Sequence, residues 1–136
     1  MPEPSPEVRL VLEAFEAFAR DDFGFVERAW HPDARLTGPS GWPEPGPFEG
    51  REQIEGQFRR LAADMGKKDF RDVEVVIERD GWVVISFLWD VRGAGSGAAI
   101  TSKMAVAHRF EEGAIKESHF RWTPDEAFEA AGLSAD

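Results

Sequence analysis

Three histidines, His31, His108 and His119, are the side chains of this 136-residue sequence whose ordinary titration lies near neutrality. The chain has no cysteine and no tyrosine, which excludes thiolate nucleophiles, disulfides, cysteine-held metals and any acid chemistry that needs a phenol. The histidines are scattered, and no carboxylate lies at ligand spacing on a shared helix face, so no metal and no other cofactor is expected. His108 sits among alternating apolar residues and is the candidate catalytic residue, as a general acid or base. A lone histidine in such a setting equally fits a core residue satisfied by a hydrogen bond. His31 precedes Pro32 and reads as a surface-loop residue. The glycine-rich run Gly93 to Gly97 lacks the lysine and the following helix of a phosphate loop, and reads as a hairpin turn.

Sixteen basic against twenty-six acidic side chains give a net charge of −10. That balance repels phosphate backbones and anionic membrane surfaces, so neither nucleic acid nor membrane is an expected partner. The opening Met1 to Glu7 has neither the basic start nor the apolar stretch of a secretion signal, and about 18 apolar residues never run together. The expectation is a cytoplasmic protein. With 42% hydrophobic residues, the length suits one domain over 1–136, its first six residues frayed.

The elements that must position His108 follow from periodicity. Val8, Val11, Leu12, Phe15 and Phe18 recur at helical spacing behind Ser5 and Pro6. Asp21 and Asp22 are placed to cap a second, short helix with Phe23, Val26, Ala29 and Trp30 on one face, ended by His31-Pro32. Ala34 to Thr37 reads as a short strand, and Gly38 to Pro47 as a Gly/Pro loop whose Trp42 needs cover. A third helix is predicted from Arg51 to Met65 and stopped by Gly66. From Asp69 the period changes to two, giving four antiparallel strands with turns at Asp80-Gly81, Gly93 to Gly97 and Glu111 to Gly113. Thr123-Pro124-Asp125-Glu126 opens a final helix. Helices followed by a long meander make an α+β domain with the helices packed on one face of the sheet.

Strand parity then selects the interior. Val83, Ile85, Phe87, Trp89 and Val91 share a face, as do Ile100, Met104, Val106, His108 and Phe110, and Ser118, Phe120 and Trp122. The predicted pocket lining is Trp30, Phe58, Phe87, Trp89, Met104, Val106, Ser118, Phe120 and Trp122 around His108, composed as a site for a small hydrophobic molecule. The same composition fits a filled core; the open Gly/Pro loop and the surplus of flat aromatics favour the pocket. Leu88, Asp90, Arg92, His119 and Arg121 fall on the opposite face, either a solvated surface or a homodimer contact through paired ions.

Three runs resemble one superfamily. Phe48-Glu49-Gly50-Arg51-Glu52-Gln53-Ile54 is similar to the F-x-G-R-E-x-I start of its third helix. Trp89 to Ala98 is similar to a W-x-x-R-G-x-G-S-G-A hairpin, and Glu126 to Leu133 to an E-A-L-E-A-A-G-L tail. The chain thereby resembles the nuclear-transport-factor-2-like superfamily, in particular its SnoaL-like, polyketide cyclase-like members. The resemblance implies a cone-shaped curved antiparallel sheet closed by N-terminal helices, a cystatin-like roll, and often a homodimer. It also implies a spread of activities that fold alone does not choose between. A ketosteroid isomerase would need a tyrosine, a base where this chain has Gly38 and an aspartate where it has Val106. An epoxide hydrolase network of the limonene type would use Asp90 and Arg92, which parity places outside. A cyclase would use His108 with an acid/base at Phe120, so that pair is half missing. The reading is a binder of a small apolar molecule with weak cyclase- or isomerase-like acid/base activity through His108, or else a non-catalytic dimerisation domain.

Overall fold

The computed structural model describes residues 4–42, 44–93 and 99–133, with side chains described for these except at 64–68, 91–93, 99 and 100. Helix α1 spans Pro6–Ala19 and begins where Ser5 Oγ accepts the Val8 N–H at 3.1 Å, with proline in the first turn. It buries Val8, Val11, Ala14, Ala17 and Phe18. Helix α2, Phe25–Ala29, is capped by Gly24 and not by the aspartates expected there; Asp21 instead turns the chain at φ +63°. Strand β1, Trp30–Thr37, starts at once, so Trp30 belongs to a strand and not to the end of a helix. His31 precedes proline, which favours extended backbone, and this starts the strand four residues earlier than hydrophobicity alone predicts.

A two-residue strand β2, Phe48–Glu49, pairs with β1 and is too short for any periodicity to mark. Gly50, at φ +88°, then turns the chain into α3, Arg51–Asp64. Arg51 Nε donates to the Trp30 carbonyl at 2.8 Å, and Gln53 Oε1 accepts the Glu49 N–H at 2.9 Å. The F-x-G-R-E-Q run thus fastens α3 to the first strand. Strand β3, Met65–Arg79, follows without a loop, so Gly66 lies within a strand and does not stop the helix.

Strands β4 (Trp82–Gly93), β5 (Ala99–Glu111) and β6 (Ala114–Arg121) complete the expected meander. The turn predicted from Gly93 to Gly97 lies outside the described residues beyond Gly93. The sheet has six strands in the order β2-β1-β6-β5-β4-β3, curved and unclosed, with β1 parallel to β6 and the other neighbours antiparallel. The parallel pair joins strands far apart in sequence, which local pattern does not reveal. β3 breaks register between Arg71 and Glu74 and again between Val75 and Ile77. These bulges break the period of two expected from Asp69 onward: Val73 packs on the main core, Ile77 on the opposite side, and Val75 and Val76 stand 45% and 41% exposed.

Helices α1, α2 and α3 cover one face, with Val83, Ile85, Phe87, Trp89, Met104 and Val106 beneath them as parity requires. Helix α4, Pro124–Ala131, lies on the other. Thr123 caps it by accepting the Glu126 N–H, and Gly132 at φ +70° ends it while the Leu133 N–H returns to Phe128 O at 2.9 Å. Its Ala127 and Phe128 pack on Val84, Ala105 and Ala107. The helices are therefore not all on one face. Substituting Phe128→Ala is expected to cost about 3 kcal/mol of unfolding free energy, read from the denaturant midpoint; a loss below about 1 kcal/mol would mean that α4 contributes no packing.

Candidate functional site

Between the helices and the sheet lies a cavity of about 50 Å³ lined by fourteen residues, of which only His108 is polar. β4 supplies Phe87 and Trp89, β5 His108, β6 Phe120, β1 Trp30 and α3 Phe58. These six were expected there. Met104, Val106 and Ser118 are wholly buried but stand behind the wall, not on it. Trp122 is not in the interior: it is 37% exposed and its Nε1 donates to Ser40 O at 2.9 Å. β6 ends at Arg121, so parity no longer governs that residue. The expected list omitted Phe15, Phe18, Phe25 and Phe70, whose rings meet those of Phe58, Phe87 and Trp89 at centroid distances of 4.9 to 6.4 Å. Two of them, Phe15 and Phe18, belong to the helical stripe expected of α1, whereas the face expected of the short helix carries Phe23 and not Phe25.

Trp42 also lines the cavity, against Phe120 at 5.8 Å and Trp89 at 6.4 Å. A loop residue has no period to reveal its direction, and the sequence signal was only that a tryptophan in a Gly/Pro loop needs cover. The Trp42 ring lies on Gly38, where a Cβ would come 2.4 Å from Cε3. The position at which the family resemblance would put an isomerase base is therefore the seat of this ring.

A buried hydrogen-bond chain forms one end of the site. Trp30 Nε1 donates to Ser118 Oγ at 3.0 Å, and the same oxygen is 2.7 Å from His108 Nδ1. An indole nitrogen can only donate, so the hydroxyl keeps its own proton to give, and among the described residues His108 Nδ1 is the acceptor that takes it. That fixes His108 as the neutral Nε2–H tautomer. Burial, with a smaller contribution from the charge of His119, pushes the His108 pKa down to about 3. Near neutral pH the ring is an N–H donor and a very weak base. Trp89, a lining residue 7% exposed, carries a buried Nε1–H with no hydrogen-bond partner among the described residues.

The outer face is more tied up than expected. His119 is only 8% exposed, stacked on Trp82 at 6.0 Å. Its Nδ1 is 2.7 Å from Thr37 Oγ1 and its Nε2 3.1 Å from Glu117 Oε1. Burial raises the Glu117 carboxyl, but the bonds and charges of Arg109 and His119 outweigh this and leave it below its ordinary range. Burial also lowers His119, against the pull of Glu117. The bonds therefore run from the Thr37 hydroxyl to Nδ1 and from Nε2–H to the carboxylate. Arg121 donates to Thr37 Oγ1, Gly38 O and Phe120 O. This network joins β1, β6 and β5. Asp90 is separate, bonded to Arg71 and, at 2.6 Å, to Thr101. Leu88 is half-buried in register between Arg71 and Lys103, and the Arg92 side chain lies outside the described set. Of the five outer-face residues, His119 and Arg121 share one hydrogen-bond network and Asp90 belongs to another. Among the described residues, no three of His, Cys, Asp and Glu cluster to hold a metal ion, and no helix is long and apolar enough to cross a membrane.

Two outcomes follow from this geometry. As pH falls through about 6.5 the unfolded chain protonates His108 while the native ring stays neutral until about pH 3, so the unfolded state binds more protons and stability drops. Wild type is expected to lose about 2 kcal/mol more than His108→Gln between about pH 7 and pH 5, a difference in which the contribution of His119 cancels. Gly38→Ala is expected to lift the Trp42 ring from its seat, read as greater acrylamide quenching than in wild type, a gain that Trp42→Phe removes.

The SnoaL-like domain profile matches residues 11–118. No curated protein matches the chain. Among solved structures, an NTF2-like protein of unknown function from Burkholderia pseudomallei superposes with a TM-score of 0.75 at 24% identity, over 93% of this chain and 97% of that one. A protein assigned as a SnoaL-like polyketide cyclase from Jannaschia gives 0.75 at 19% identity, over 88% and 90%. A protein of ketosteroid isomerase-like fold from Catenulispora acidiphila, in complex with trimethylamine, gives 0.71 at 17% identity, over 93% and 95%. These identities establish a shared fold, and the domain match spans well over half of the sequence: the chain belongs to the SnoaL-like family.

Proposed function

We propose that this protein binds a small, mostly apolar molecule in the aromatic cavity beneath α1 and α3. The observation that carries the reading is the lining itself, thirteen apolar side chains around one neutral histidine. At about 50 Å³ the space is smaller than the roughly 150 Å³ apolar cavity that accepts benzene. A ligand must therefore displace a wall. Trp42 and Phe120 are half-buried where most of the lining is fully enclosed, and Trp42 sits on the Gly/Pro loop, so these two rings form the gate. The Catenulispora protein of the same fold holds trimethylamine, which supports a small-molecule role for this architecture. His108, held neutral, serves better as a hydrogen-bond donor than as an acid or base, so binding takes precedence over turnover in this reading.

A homodimer is proposed on the part of the outer face that α4 leaves uncovered, around Leu88 and the Arg71–Asp90 pair. Sedimentation checks it: a species of one-chain mass at high concentration rejects the dimer and leaves the cavity reading intact. For the cavity, titration with ethylbenzene and naphthalene is expected to change tryptophan fluorescence saturably. Phe120→Ala is expected to shift preference toward naphthalene, because it enlarges the gate. No response from either protein to either compound would reject the binding role.

A further inference from the structure

The polar groups that two of the lining residues, Trp89 and His108, leave unspent are both donors. Trp89 Nε1–H is buried with no partner among the described residues, and an indole nitrogen has no acceptor capacity. His108 presents Nε2–H, because its Nδ1 accepts from the Ser118 hydroxyl, whose proton has no other acceptor among the described residues. The other lining side chains are hydrocarbon, apart from the Trp30 N–H already spent on Ser118 and the indole of Trp42 at the mouth. A wholly apolar ligand would leave the Trp89 N–H as orphaned as before. A hydroxyl could accept from it, but its own proton would then be buried without an acceptor. A carboxylate would bring an unpaired charge into an aromatic enclosure that contains no cation. A neutral acceptor bearing no proton satisfies the wall without creating a new orphan.

We infer that the site selects neutral carbonyl compounds, the carbonyl oxygen accepting the hydrogen bond of Trp89 Nε1–H with the His108 Nε2–H as the second donor, and the apolar remainder packed among the phenylalanines. The inference rests on the binding role proposed above and adds a specificity residue to it. It also gives the indole of Trp89, stacked on Phe70 at 5.7 Å, a polar role that a phenylalanine at position 89 could not take.

The test uses three compounds of nearly one shape, acetophenone, ethylbenzene and 1-phenylethanol, titrated calorimetrically against wild type, Trp89→Phe and His108→Gln. Acetophenone is expected to bind wild type about tenfold more tightly than ethylbenzene, the value of one well-made buried hydrogen bond, with 1-phenylethanol also weaker than the ketone. Trp89→Phe should reduce the ketone's advantage over ethylbenzene to about twofold or less, read as the ratio of the two affinities, in which the volume that the smaller ring vacates acts on both ligands alike. Equal affinity for ketone and hydrocarbon in wild type would overturn the inference and leave the binding role standing. A ketone preference that survives Trp89→Phe but vanishes in His108→Gln would overturn the assignment of Trp89. No binding of any of the three, with wild type folded by circular dichroism, would reject the binding role itself. Should Trp89→Phe fold poorly, the comparison of the three compounds on wild type alone still decides between acceptor selection and none.

Discussion

The Ser118 hydroxyl is wholly buried and has one proton and a limited set of neighbours with which to satisfy the indole of Trp30 and the imidazole of His108. An unpaired polar group at such depth costs of order 1–3 kcal/mol, so the three residues must stay in register. They come from β1, β5 and β6, the strands whose pairing joins the start of the chain to its end. The same three-residue chain sets the tautomer of His108 and therefore the chemical character of one end of the cavity. Fold and site share a single hydrogen-bonding constraint. Outside, Thr37, His119, Glu117 and Arg109 repeat the device across the same strands, and the two networks hold both sides of the sheet together at its middle.

Around that polar point the interior is built from rings that meet edge-on or tilted in most pairs. Such contacts fill space well without the interdigitation of branched aliphatics, and a narrow gap is left where the flat surfaces do not mesh. The gap is bounded on one side by Trp42, whose support is a glycine and a loop, not a strand or helix. The wall is thus stiff at the sheet and yielding at the mouth. An indole N–H stranded on the stiff side gives the enclosure a chemical preference that its hydrocarbon lining would lack.

Strand parity was legible wherever a strand was long and its ends clear. Val83, Ile85, Phe87 and Trp89 face inward as expected because the pairing of β4 with β5 runs unbroken from Trp82 to Arg92. Parity failed at strand ends and bulges. Trp122 lies one residue past β6, and Ile77 lies past two register shifts. The caps of α1 and α4 were readable because a proline and a hydroxyl define them locally. The α4 contact on the outer face was not, since Ala105 and Ala107 look like ordinary small residues until a helix covers them. Of the site, Phe87, Trp89, His108 and Phe120 on β4, β5 and β6 could be named from spacing, and Phe70 on β3 was not. The role of Trp42, the tautomer of His108 and the unpartnered N–H of Trp89 depend on contacts between segments distant in sequence, which no local pattern encodes.

The parallel pairing of β1 with β6 has a consequence for how the molecule is made. When residues 30–37 leave a ribosome, the strand that will lie beside them, 114–121, has not been synthesised. On the β6 side, β1 must wait until 114–121 has been made, with its backbone groups in water and Trp30 without its serine. Contacts of such long sequence separation close slowly, because the loop entropy is lost before the interactions that offset it are gained. The antiparallel β3-β4-β5 meander can assemble first, from neighbours in sequence. The enclosure, and with it every property of the site, is complete only when β6 lies between β1 and β5.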